Sequence, residues 1–179
     1  SPQAVFEQSE AALAQVVTSR QAQALVTLPN ALAVQCVRTH QWLTQQPDHH
    51  SHAVWTLGDP HYPAELLQLA DPPLMLYATG QTESTLGNAV AVVGSRNPTP
   101  QGAEIATQFG EALCEAGLCV VSGLALGVDG AAHTGALRAA TAAARSTTAH
   151  WSTVAVVGTG LDRVYPSKHK ILAQHIAQH

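Results

Sequence analysis

The sequence predicts an α/β fold in which an open parallel sheet follows a small helical segment. Three observations carry that reading. Residues 89–93 read Ala-Val-Ala-Val-Val and break at Gly94; such an apolar run suits a strand covered on both faces. Similar runs end in Ser122–Gly123 and in Gly158–Thr159–Gly160. The runs are spaced by about 30 residues, one β–α–β unit each time. Right-handed crossovers then gather the three glycine-ended bends at one carboxyl edge, where open α/β sheets take their ligands.

The elements follow in order. Val5, Phe6, Ala12, Leu13, Val16 and Val17 recur at near-helical intervals, followed by Leu25 and Leu28. Pro29 and Asn30 interrupt the pattern, and Asn30 suits the cap of a further helix with Leu32, Val34, Cys36, Val37 and Leu43. Residues 1–46 therefore form a small helical domain, read either as an interaction module or as a packing appendage. Residues 47–179 form the second domain. Residues 47–60, with Pro47, Asp48, His49, His50, His52 and Gly58–Asp59–Pro60, read as a connection. The histidines are the stuff of a metal site, but a solvated linker is the simpler reading, and no metal is expected. A short helix over 63–69, a proline stop and a strand over 74–78 come next. A polar loop runs between Gly80 and Gly87.

Thr99 and Pro100 read as the N-cap and first residue of a helix. Ile105, Phe109, Ala112, Leu113 and Ala116 give it one apolar face, and Gly117 ends it. The loop from Gly123 to Val128 contains a second glycine, Gly127, and Asp129 is placed to cap the next helix. Small residues on that helix let it lie close to a sheet. Residues 141–152 are rich in alanine, threonine and serine. A last helix starts at Tyr165–Pro166–Ser167 and carries Ile171, Leu172 and Ile176. Three parallel strands and a closing helix fall short of a doubly wound domain. The C-terminal part of the domain is therefore expected to be missing from this chain.

The net charge of −4 argues against generic polyanion binding. Its distribution is more informative. Before Ala89 there are two basic residues, Arg20 and Arg38, against seven acidic ones. From Ala89 onward there are six basic residues (Arg96, Arg138, Arg145, Arg163, Lys168 and Lys170) against five acidic. An anion site therefore belongs in the second half. No apolar run is long enough for a membrane span, and Ser1–Pro2–Gln3 is no secretory leader. Cys36, Cys114 and Cys119 form no CxxC pair and read as small buried hydrophobes in a reducing, cytoplasmic setting.

Several chemistries lack their motif. There is no GxGxxG after any strand, no GxxxxGK[ST] and no GxSxG. Gly158–Thr159–Gly160 has GxG without the third glycine. Ser122 has no evident base. His133 lies on the helix after the second bend; as a base it would need a nucleophile and an orienting carboxylate, and a loop buttress is the simpler role. No cofactor is expected. Arg96, straight after a buried strand and before a helix start, is suited to bidentate phosphate contact. Lys168 and Lys170 either extend a positive rim or are simply solvated.

Five pieces of sequence, in order, resemble the DNA-processing protein A (DprA/Smf) family. They are Tyr62–Pro63 with Asp71–Pro72–Pro73–Leu74; Val92–Val93–Gly94–Ser95–Arg96 with Gly102; Val121–Ser122–Gly123–Leu124–Ala125 with Gly127–Val128–Asp129 and Ala132–His133; Ala155 to Asp162; and Tyr165–Pro166. The resemblance implies an extended Rossmann-like domain, a parallel sheet with helices on both faces, behind a small helical domain like the sterile alpha motif. It implies a non-enzyme that binds single-stranded DNA, protects it during natural transformation and loads the RecA recombinase on it. It implies strand contacts at Gly94, Ser95, Arg96, Thr99 and Gly102, at Ser122, Gly123, Leu124 and Gly127, at Gly158, Thr159 and Gly160, and at Lys168. Leu126 stands where the family often has Arg or Lys. The family's Phe-x-x-Arg-Asn-Arg segment, to which dimerisation and recombinase contacts are attributed, is absent here. Homodimerisation is therefore expected of the full-length protein rather than of this chain. The rival readings are a small-nucleotide enzyme or sensor on a related scaffold, such as a phosphoribohydrolase, and a protein-interaction fragment. The former carries a Pro-Gly-Gly-x-Gly-Thr loop with a downstream glutamate, which this chain lacks.

Overall fold

A computed structural model describes residues 2–27, 29–45, 51–84, 86–142 and 150–179. The chain divides into two compact units, Ser1–Trp42 and Leu43–His179. The first contains the short helices α1 (Pro2–Phe6), α2 (Glu10–Leu13) and α3 (Ser19–Val26), and most of α4 (Leu32–Thr44). Ser9 and Thr18 cap α2 and α3, the latter in a reciprocal capping box with Gln21. Its core is thin. Leu13 and Ala22 are buried, while Val16 is 86% exposed. Val5, Leu13, Val16, Val17 and Leu25 line an open apolar groove of about 510 Å³. Cys36, expected inside, is exposed, whereas Cys114 and Cys119 are buried. Burial pushes the Cys119 thiol up to about 12, so it is inert.

The second unit holds a hairpin and a three-stranded sheet. The hairpin pairs β1 (Ser51–Thr56) with β2 (Met75–Gly80), in register from Ser51 opposite Gly80 to Thr56 opposite Met75. β1 falls where the sequence suggested a connection. Its polar residues hide the strand, because only Trp55 is buried within it. Trp55 stacks between His61 and Trp151, at ring distances of 6.1 and 6.0 Å. The link between the two strands contains a 3₁₀ turn, Ala64–Gln68, in place of the expected helix. Tyr62 is buried there and donates its hydroxyl to the Pro73 carbonyl at 2.8 Å. The Tyr-Pro and Asp-Pro-Pro pieces thus form one clasp. His49 and His50 lie outside the described residues; His52 lies on β1, and no metal-binding cluster occurs among the described residues.

The parallel sheet has the order β3 (Ala89–Ala91), β4 (Cys119–Ser122), β5 (Thr153–Ala155). Ala89 lies opposite Cys119, and Val120 opposite Thr153. α5 (Pro100–Glu115) and α6 (Val128–Ala142) cross between these strands, and α7 (Lys170–Gln178) follows. Both crossovers step the same way along the sheet, which places α5 and α6 side by side. They meet through small residues: Ala106, Thr107 and Gly110 of α5, and Ala132, Gly135 and Ala136 of α6, are buried. Gly110 sits against the Ala132 carbonyl and Gly135 against that of Thr107, with no room for a Cβ at either. Of the apolar face of α5 read from the sequence, Leu113 packs against the buried cluster, but Ile105 and Phe109 are turned outward. Ile105 and Phe109 are 45% and 62% exposed. Contact at backbone distance requires small residues, and that requirement outweighs burial of the larger ones.

His133 is wholly buried beneath the sheet. Its Nδ1 is 2.7 Å from Thr153 Oγ1, which itself donates to the Val120 carbonyl. The hydroxyl must therefore accept from the ring, so Nδ1 carries the hydrogen. Nε2 is left without a partner among the described residues. Burial, resisted by Asp129, lowers its pKa from 6.5 to about 4. The unfolded chain takes up this proton near 6.5 and the folded chain only near 4, so acidification between those values favours unfolding. A loss of up to about 3 kcal/mol between neutral pH and pH 4 is expected from this group. The stability difference between the natural chain and His133→Gln, followed by denaturant titration across that range, measures it.

Candidate functional site

The three bends do share one rim. Their residues line a cleft of about 190 Å³: Arg96 from the first bend, Gly123, Ala125 and Leu126 from the second, and Val156, Val157, Gly158 and Thr159 from the third. Tyr165 and Pro166, joined by a cis peptide, complete it. The cause is topological, because three parallel strands joined by right-handed crossovers deliver their carboxyl ends to one side.

The guanidinium of Arg96 is exposed and makes no hydrogen bond or ion pair among the described residues, where the ion pairs are His61–Asp59 and Arg163–Asp162. Among the described residues it is also the only cation lining the cleft. Tyr165 is 70% exposed and Val156 63%. The cleft therefore offers one free positive charge between apolar walls. Gly158 and Thr159 donate no backbone hydrogen bond among the described residues, so their N–H groups remain available to an acceptor.

The other residues singled out from the sequence shape the rim from behind. Gly94 leaves space for Val128, whose Cγ2 would stand 2.8 Å from any Cβ there. The Ser95 carbonyl accepts from Val128 N, and its hydroxyl accepts from Asn97 N. Thr99 caps α5 by accepting from Gly102 N at 3.0 Å. The Ser122 hydroxyl is buried and donates to the Val92 carbonyl at 2.6 Å, tying β4 to β3. Gly127 has φ +83° and packs against the Ser95 carbonyl, which excludes a side chain. Gly160 accepts from Arg163 N. Lys168 is exposed on the 3₁₀ turn Ser167–His169 and is not among the described residues that line the cleft.

Asp129 is corrected as well. It lies in the first turn of α6 rather than at its cap, and its Oδ2 accepts from Gly123 N at 3.2 Å and Ala125 N at 3.3 Å. The second bend thus spends two of its amides on a buried carboxylate and cannot offer them to a ligand. Between them Leu124 is held at φ 59°, with its side chain 4% exposed. That left-handed conformation costs a non-glycine residue about 1 kcal/mol. His169 secures it: Nδ1 stands 2.9 Å from the Leu124 carbonyl. Sequence reasoning passed over His169, which has no signal of its own beyond following Tyr165–Pro166.

The DNA recombination-mediator protein A family matches residues 53–179. The chain belongs to that family. It is 39% identical over 122 residues to DNA processing protein DprA of Streptococcus pneumoniae and 32% over 124 residues to that of Bacillus subtilis. These stretches cover 68% and 69% of this chain, but only 39% and 38% of the relatives. The Smf protein of Escherichia coli is 30% identical over 162 residues, covering 90% of this chain and 39% of that one. The crystal structure of S. pneumoniae DprA superposes with a TM-score of 0.62 at 26% identity, over 98% of this chain and 59% of that one. DprA of Helicobacter pylori, described for its single-stranded DNA binding mode, gives 0.55 at 29%, over 71% and 52%. The family membership and the parallel α/β fold expected from the motifs both hold. Among the described residues no helix is long and apolar enough to cross a membrane.

Proposed function

We propose that the rim cleft binds single-stranded DNA. The observation that carries this reading is the unpaired Arg96 guanidinium sharing a small cleft with exposed Tyr165 and Val156. Arginine holds a phosphate bidentately, the free Gly158 and Thr159 amides add donors, and the apolar wall accepts an unpaired base. A duplex keeps its bases stacked inside and gains only the charge. Thus Arg96, Gly158 and Thr159 contact the backbone, Gly123 and Leu126 bound the floor, and Gly94, Ser95, Thr99, Gly102, Ser122, Leu124, Gly127 and Gly160 hold the shape. Lys168 contributes at longer range.

On the strength of the family match we further propose a non-enzymatic, cytoplasmic recombination mediator that protects incoming strands, dimerises and loads RecA during natural transformation. The small-nucleotide rival fits less well. Ligand pockets usually enclose roughly 300–1,000 Å³, and among the described residues the lining includes no carboxylate, imidazole or thiol to act as general base.

The test is fluorescence anisotropy of labelled oligothymidylate and of a matched duplex across a salt series. Affinity should favour the single strand and fall linearly with log salt, each phosphate contact contributing a slope of about −0.7. Equal binding of both forms, or hydrolysis of a nucleoside monophosphate, would count against the reading.

A further inference from the structure

We infer that His169 is a positioning residue: it latches the two walls of the cleft together and so sets the gap into which a base fits. This rests on the proposed DNA-binding role of the cleft. One wall, Gly123 to Leu126, belongs to the second bend; the other, Tyr165–Pro166, lies about 40 residues on. The sheet joins the second bend to the third, which precedes Tyr165–Pro166 in the chain, at their base, where Val156 N donates to the Ser122 carbonyl. Above the sheet, among the described residues, the hydrogen bond between them is that of His169 to Leu124. A carbonyl only accepts, so Nδ1 is the protonated nitrogen. His169 N also donates to the Pro166 carbonyl at 2.9 Å, which fixes the ring relative to Tyr165.

The surroundings are built to this ring. Its Cε1 would lie 2.5 Å from a Cβ on Gly130, so only glycine lets it approach the start of α6. Gly130 N in turn donates to the Ala125 carbonyl. The strained Leu124 sits between the two anchors, Asp129 on its flanking amides and His169 on its carbonyl. Strain of this kind persists where neighbours over-determine it and points to a functional constraint. Released from His169, the bend is free to relax and the Tyr165 wall to part from it, while Arg96, held on a different bend, stays in place.

The test compares His169→Ala, His169→Asn and Arg96→Ala in this chain, with oligothymidylate and an abasic strand of equal length as probes. Asparagine places an amide N–H where Nδ1 stands. His169→Ala should weaken oligothymidylate binding about fivefold, the size of one weakened base–aromatic stack, and leave the abasic strand unaffected. His169→Asn should restore the lost affinity. In the free protein, hydrogen exchange of the amides at 123–127 should quicken in His169→Ala but not in His169→Asn. Gly130→Ala, which displaces the ring without removing it, should match His169→Ala and serves if the latter folds poorly. Unchanged loop exchange in both His169→Ala and Gly130→Ala overturns the latch, as does equal weakening on both probes. If Arg96→Ala changes neither probe while loop exchange responds as stated, the phosphate assignment fails and the latch stands.

Discussion

Arg96→Ala is expected to lower the affinity of this chain for oligothymidylate at least about tenfold at low salt. The guanidinium lines the cleft without a partner among the described residues. Its removal therefore leaves no internal carboxylate stranded and should not disturb folding. What disappears is a charge-assisted pair of hydrogen bonds, typically about 1.5–3 kcal/mol, and about 1.4 kcal/mol is a factor of ten. The salt dependence should flatten by about one contact, a slope change near 0.7. Arg96→Lys keeps the charge but not the fork; it should retain the salt slope and recover only part of the affinity. Anisotropy titrations at several salt concentrations read both quantities, while thermal melts confirm that stability is unmoved. Full affinity in Arg96→Ala would remove the cleft from consideration as the phosphate site.

Gly135→Ala is expected to be among the most destabilising single methyl additions in the second unit. A Cβ there would overlap the Thr107 carbonyl and stand 2.8 Å from Glu111 N. Neither is the end of a flexible side chain; both are backbone of α5. The two helices must separate, and His133 and Thr153, which lie below them, lose close packing. Overpacking of this kind costs about 1–3 kcal/mol and sometimes more, against about 1 kcal/mol gained from alanine's better helix propensity. With backbone as the obstacle the cost falls at the upper end of that range, and the resulting net loss of about 2 kcal/mol lowers the melting temperature by roughly 4–8 °C. Gly158→Ala, whose Cβ would meet nothing within 4 Å, is the control and should leave the melt unchanged. Calorimetry or circular dichroism decides between them.

Much of the site could be read before any coordinates. The apolar runs at 89–93, 118–121 and 153–157 announce strands, and glycine at each end announces bends. The right-handed crossover rule then places those bends on one rim. Arg96 could be chosen because a cation directly after such a strand has only that rim to face. The clasp of Tyr62 to Pro73 explains why two motif pieces ten residues apart belong together.

Other features stayed hidden because they depend on partners far along the chain. β1 lacks a clean alternation, since it is one side of a hairpin whose cover is a stack of Trp55 with His61 and Trp151. The inward face of α5 was misread at Ile105 and Phe109 because apolar size was the signal, whereas the contact with α6 selects for smallness. Ser122 and Asp129 carry groups able to bind a ligand, yet the fold spends them on Val92 and on the second bend's own amides. His169 matters only because a carbonyl 45 residues earlier comes within 2.9 Å of it.

The sequence by itself determined the three parallel strands, the shared rim and the cation placed on it, because strand periodicity, glycine bends and crossover handedness are local rules. Only the tertiary structure decided which polar groups remain free at that rim. That is a question of saturation: a hydroxyl, amide or carboxylate serves a ligand only when no neighbour in the folded chain has already satisfied it.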